Sequence, residues 1–286
     1  MPDRVYFSSR THIIPAGVPR QMLSAGIQAC IPPNNRLTKA NWEVLGAEVH
    51  DLIVDAHPDI VAHFDNPPLD LIAICQQAGA ELWTFCHTEA HLAPVDTARE
   101  LGVKLVPLDA VYDEAGDRVF GSMELTGRNG VTFGLAALGA VKNPRVVVLG
   151  AGKTAHAAIR ELFHRGVTVE VPPKDRMREW LLPRLPYIDL LISGANINTS
   201  LRGLGYILKR EDVATMRPGS VIVDLIVDLA HVGAIETCKP TVGPAPFYIV
   251  DGVIHTCQWG WPDLTPDDAS NVYYRQFLDV YKRVRK

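Results

Sequence analysis

Short apolar runs bounded by turn residues recur along the chain, and between them lie stretches whose apolar residues return every three or four positions. The first kind reads as strand and the second as helix. Strands are expected over 5–7, 27–31, 49–54, 69–74, 82–87 and 104–111, then over 146–149, 168–171, 188–193 and a run ending near 224. Helices are expected over 39–45, 94–101, 123–138, 154–164, 208–216 and 270–285, with one more ending at Gly26. Residues 248–256 read as two short strands around an Asp251-Gly252 hairpin turn. Strand alternating with helix means a parallel sheet of the α/β class.

The run 146–149 is unbroken and mostly β-branched, which suits a strand covered on both faces. Gly150-Ala151-Gly152-Lys153-Thr154-Ala155 follows at once and fits G-x-G-x-x-G/A. The first glycine turns the chain, the second leaves the backbone open to a pyrophosphate, and the small last residue lets helix lie on strand. The helix that starts there aims its amides at the phosphates. Strand, turn, helix and strand in that order make a dinucleotide site, and Ala195, just past the strand 188–193, joins its expected cofactor-binding residues. Gly152-Lys153-Thr154 alone also resembles the end of a P-loop, which would make the chain a triphosphatase. That motif needs a glycine five residues earlier, where Val147 stands inside the strand. The acid that holds the ribose hydroxyls is expected about twenty residues past the glycines. Pro172-Pro173 stand there, followed by Lys174-Asp175-Arg176. Lys174 and Arg176 suit the 2′-phosphate of NADP and Asp175 suits NAD, so the cofactor is read as NAD or NADP.

Composition narrows the class. At 286 residues the chain has room for two domains, and its 47% hydrophobic and 21% charged residues are those of a globular protein. A net charge of -4 with mixed signs gives no basic stripe for nucleic acid. With no apolar run of spanning length and no leader-like start, a cytoplasmic protein without a membrane partner is expected. The five cysteines form no C-x-x-C pair and read as reduced thiols. His87-Thr-Glu-Ala-His91 has an i, i+4 histidine spacing, but Glu89 is out of place for a metalloprotease and no metal is expected.

With the elements in order, the chain resembles the alanine dehydrogenase family, which includes the nucleotide-binding domain of transhydrogenase and, more distantly, saccharopine dehydrogenase. Arg10-Thr-His-Ile-Ile-Pro-Ala-Gly-Val is similar to that family's opening, Leu82-Trp-Thr-Phe-Cys-His87 to its strand ending in histidine, and 216–228 to its run into an aspartate, here Asp228. The resemblance implies an enzyme that moves a hydride between nicotinamide and the α-carbon of an amino acid. It implies that Arg10 grips the substrate carboxylate, His87 acts as acid and base, and Asp228 orients substrate and proton transfers. It also implies a lysine just after the strand 69–74, where Gln76 stands instead, a residue able to hydrogen-bond a substrate but not to carry charge. Trp259 and Trp261, in a segment unlike the family's, suit a reshaped aromatic substrate pocket and equally the packed core of the domain junction.

The expected fold is two Rossmann-like doubly wound α/β domains, with the dinucleotide domain (125–258) inserted in a substrate domain (1–124 plus 259–286) and the active site in the cleft between them. The expected partner is a small amino or keto acid, with a secondary amine of the saccharopine kind beside a primary amino acid; a homo-oligomer is left open. Loss of the lysine motivates a rival reading, a nucleotide-binding sensor of the same fold that does not turn substrate over.

Overall fold

A computed structural model of the chain describes residues 1–8, 14–33, 39–86, 92–195, 205–226 and 233–285. The chain divides into two compact units, Met1–Ser122 with Pro266–Lys286, and Met123–Thr265. Each has its own sheet and its own core, and both are doubly wound α/β units of the Rossmann kind.

In the first unit β1 (Asp3–Phe7), β2 (Ile27–Ile31), β3 (Glu48–Val49), β4 (Ile60–His63), β5 (Glu81–Thr84) and β6 (Leu105–Pro107) form one sheet. Their order is β3-β2-β1-β4-β5-β6, every pair parallel. Helices α1 (Val18–Ser24), α2 (Lys39–Val44), α3 (Leu69–Ala78) and α4 (Ala93–Glu100) connect them. The C-terminal helix α9 (Pro266–Val284) closes the core: Tyr274 and Phe277 meet Phe7 edge-on, at ring separations of 5.1 and 5.4 Å.

Two expectations fail here. Residues 69–74 are not a strand but the start of α3, and the strand that precedes β5 is β4, unforeseen in the pattern. The run Leu69-Asp-Leu-Ile-Ala-Ile is too short for its periodicity to decide. Its surroundings decide it: Pro68 stands at the N-cap, good helix formers follow, and Gly79 ends the helix at φ 69. The strand expected over 49–54 shrinks to β3, followed by a 3-10 turn at Val54–Ala56.

In the second unit β7 (Val146–Leu149), β8 (Val169–Glu170), β9 (Leu190–Ser193), β10 (Val221–Asp224), β11 (Tyr248–Val250) and β12 (Val253–Thr256) are ordered β11-β12-β10-β9-β7-β8. Only β11 runs antiparallel to its neighbour. The helices are α5 (Met123–Leu138), α6 (Lys153–His164), α7 (Met177–Leu181) and α8 (Arg210–Val213). Gly127, Gly130 and Gly134 give α5 a flat side. A Cβ on Gly127 would lie 2.6 Å from the Thr154 carbonyl oxygen, and one on Gly134 2.8 Å from Val223 Cγ2. No larger residue fits, so α5 is seated directly on α6 and the sheet. Asn129 ties α5 further on, donating to the Trp261 carbonyl at 2.8 Å and to Thr265 Oγ1 at 3.0 Å. Residues 259–265, expected with the first domain, therefore cluster with the second unit. Among the described residues no helix is long and apolar enough to cross a membrane.

Candidate functional site

The strand order of the second unit reverses between β7 and β9, the kind of switch point where open α/β sheets bind ligands. Leu149, Ser193 and Asp224 end their strands level with one another. From Leu149 the chain turns through Gly150 at φ 102, where a Cβ would lie 2.7 Å from the Gly194 carbonyl oxygen. Gly194 in turn leaves room only for a small neighbour, since its own Cβ would stand 3.0 Å from that of buried Ala155. Glycine at 150 and alanine at 155 are thus demanded by the backbones of β7, β9 and α6, with Ala195 directly beside the turn.

Gly152 is different. It caps α6 in extended backbone (φ −83, ψ 175), and a Cβ there would meet nothing within 4 Å. Ala151, Gly152 and Lys153 are exposed, whereas Thr154 and Ala155 face inward. The first amides of α6 have no carbonyl within the helix to bond, and the helix dipole adds positive potential there. The arrangement fits a diphosphate: bare donors, an open approach and no side chain in the way. Ser193 Oγ, buried at the same sheet edge, has no hydrogen-bond partner among the described residues, as where a further polar group completes a set. Val147 lies within β7, which leaves no P-loop.

Beside this loop β8 stops after Glu170, whose carboxylate lies 3.7 Å from Arg145. Lys174, Asp175 and Arg176 form an exposed 3-10 turn beyond the two prolines.

The strand order of the first unit reverses between β1 and β4. At that point Ser8 Oγ lies 3.1 Å from Nδ1 of His63, which is 9% exposed at the end of β4. On the same edge the Cys86 amide donates to Oδ1 of buried Asp109 at 3.2 Å. Burial, with Asp109 adding to it, pushes the Cys86 thiol up to about 12, so it stays protonated. The sequence reading missed His63 because it missed β4; the signal was a run of five residues, Ile60 to Phe64, between Pro58-Asp59 and Asp65-Asn66-Pro67.

Arg10, His87 and Asp228 lie outside the described residues. The last described residues before Arg10 and His87 in the sequence, Ser8 and Cys86, lie just past the C-terminal ends of β1 and β5. Gln76 is corrected. It is exposed near the C-terminal end of α3, at the opposite edge of the sheet, and donates to the Leu101 carbonyl at 3.0 Å, bracing α3 against the end of α4. The residues that do follow the preceding strand are Phe64, Asp65 and Asn66, again without a lysine; none occurs between Lys39 and Lys104. For Trp261 the structure agrees with the core-packing reading. The residue is 4% exposed in the second unit's core, edge-on to Phe133 at 5.9 Å, with Nε1 on the Asp224 carbonyl at 3.3 Å. It packs the core instead of lining a pocket. Trp259 is half-buried, and its amide donates to the Thr241 carbonyl at 2.8 Å.

Ligand atoms of Cys30, Glu48 and His50 lie within 4.8 Å of one another. Arg4 takes both Glu48 oxygens, at 2.9 and 2.6 Å, and burial pushes the Cys30 thiol up to about 12. A carboxylate already neutralised and a thiol held protonated make a poor metal site.

Residues 174–286 match the family model described as alanine dehydrogenase/PNT, C-terminal domain. The alanine dehydrogenase of Halomonas elongata is 25% identical over 298 residues, covering 88% of this chain and 78% of that one. The solved fold of an L-alanine dehydrogenase superposes with a TM-score of 0.79 at 20% identity, covering 97% of this chain and 88% of that one. A transhydrogenase from Sinorhizobium meliloti also gives 0.79, at 18% identity and covering 98% and 94% of the two chains. Family model, curated relatives and folds agree: residues 174–286 are similar to the alanine dehydrogenase/PNT C-terminal domain, and the chain as a whole is similar in sequence to alanine dehydrogenases and in fold to an alanine dehydrogenase and a transhydrogenase.

Proposed function

We propose that this protein is an NAD(P)-dependent oxidoreductase acting on the CH–N bond of an amino acid or an N-substituted amino acid. Unit Met123–Thr265 is the dinucleotide domain, and unit Met1–Ser122 with Pro266–Lys286 takes the substrate. The observation that carries the reading is the Gly150–Ala155 cradle at the β7/β9 switch point, open at Gly152 and packed against the Gly194 backbone at Gly150 and Ala155. The relatives' names, alanine dehydrogenase and transhydrogenase, fit it.

Bound nicotinamide supplies the hydride acceptor or donor. The chain's own residues hold the rest. Arg10 pairs with the substrate carboxylate, a bidentate task for a guanidinium. As the α-carbon gives up its hydride and the C–N bond becomes an imine, the nitrogen's proton passes to His87, with Asp228 orienting the groups. Water then adds, and collapse of the carbinolamine releases keto acid and amine. With no lysine between Lys39 and Lys104, where the resemblance implies one to polarise a keto group, a secondary amine stands as a substrate beside a primary one.

The test is a screen of amino acids and amine-plus-keto-acid pairs with both cofactors, read at the reduced-nicotinamide absorbance. Turnover with at least one pair, lost on the order of 100-fold or more in His87→Ala, is expected. Full activity in that variant removes the proton-transfer role. Cofactor binding without turnover of any pair favours the sensor reading, which the missing lysine motivates.

A further inference from the structure

We infer that Lys174 and Arg176 form a 2′-phosphate subsite, so that the protein takes NADP(H) in preference to NAD(H). The inference rests on the dinucleotide reading above and adds to it the choice between the two cofactors.

The choice is made at the end of β8, beside the glycine loop. The β7–β8 ladder stops at Val147 and Glu170. Glu170 is the only acid on the strand, and it is engaged elsewhere: its carboxylate lies 3.7 Å from Arg145, the residue before β7 and at the opposite end of that strand from Gly150. Where a carboxylate would accept from the ribose hydroxyls, the chain has Val171, Pro172 and Pro173. Proline brings no acceptor side chain and, lacking an amide hydrogen, cannot prolong the ladder. The first charged groups past the strand are Lys174, Asp175 and Arg176, all exposed. Asp175 Oδ2 lies 3.7 Å from Arg176 Nε, whereas Lys174 has no ion-pair partner among the described residues. The turn therefore carries two donors, one cation in excess and a carboxylate already facing a guanidinium. A ribose 2′-hydroxyl calls for an acceptor, and a 2′-phosphate for cationic donors; this turn supplies the donors.

The full-length protein is titrated with NADPH and NADH by reduced-nicotinamide fluorescence at two salt concentrations, and with 2′,5′-ADP against 5′-AMP by calorimetry. NADPH is expected to bind at least ~10-fold more tightly than NADH, and 2′,5′-ADP more tightly than 5′-AMP. The preference should shrink as salt screens the charges. In K174A/R176A the NADPH affinity should fall by about 10-fold or more while NADH stays within about twofold. NADH binding as tightly as NADPH, or a preference unchanged in the double variant, overturns the inference and leaves the dinucleotide site standing. Binding of none of the four probes overturns both.

Discussion

Gly150 and Gly152 stand two positions apart and answer to different demands. Gly150 has φ 102 and a backbone oxygen where its Cβ would be, so Gly150→Ala is expected to destabilise the second unit by roughly 2 kcal/mol or more. Gly152 has extended backbone and open space, so Gly152→Ala should leave the melting temperature almost unchanged yet weaken dinucleotide binding by about 10-fold, because the added methyl occupies the approach to the bare amides. Thermal melts and cofactor titrations of the pair check this; equal cofactor affinity in Gly152→Ala and wild type would remove the cradle from the site. His255 gives a pH dependence. It is fully buried, with Nδ1 3.0 Å from the Val253 carbonyl and Nε2 2.8 Å from Thr237 Oγ1. A carbonyl only accepts, so Nδ1 carries the proton and the neutral ring accepts at Nε2. Burial holds its pKa below the ordinary imidazole value, against the smaller upward pull of the Val253 carbonyl and Asp251. A lowered folded pKa means that the unfolded chain binds the proton first. Its contribution is therefore complete above about pH 6.5 and is lost as pH falls from there through the folded value. Urea midpoints should drop between pH 7 and 5, and the slope should be shallower in His255→Gln.

Among the elements, α9 does most for the first unit, because it covers the sheet with aromatic residues from the far end of the chain. Phe277 is fully buried and meets Phe7, Phe64 and Trp83 at 5.4, 5.9 and 5.8 Å. Phe277→Ala should cost about 3–5 kcal/mol by chemical denaturation, from lost transfer free energy and the cavity left behind. That α9 is a helix was legible from its periodicity, and its bounds extend the expected 270–285 only at the start. The β11–β12 hairpin was legible in Asp251-Gly252, whose φ values of 51 and 82 are those of a type I′ turn. The β7-turn-α6 unit was legible for the same reason: glycine spacing reports backbone demands within a few residues. β4 and α3 were not, since Ile60-Val-Ala-His63 and Leu69-Asp-Leu-Ile-Ala-Ile are both brief apolar runs whose neighbours, not their period, decide between strand and helix.

At the scale of the whole molecule, everything that builds the cradle lies in one contiguous stretch. β7, α6, β9 and the clamping helix α5 all fall within Met123–Thr265, which has its own sheet and apolar core. A fragment of residues 123–265 should fold cooperatively by circular dichroism and retain dinucleotide binding; a fragment that folds without binding would move the site elsewhere. The sequence by itself determined the alternation of strand and helix, the glycine turn, the hairpin and the absence of lysine from 40 to 103, because those are statements about neighbours along the chain. Tertiary structure decided the order β3-β2-β1-β4-β5-β6, the Ser8–His63 pair at its reversal, the turning of Glu170 toward Arg145, and the removal of Gln76 and Trp261 from the site. Each of these depends on which distant segment a residue meets, and a contact between distant segments is set by the packing of whole faces, which no local spacing encodes.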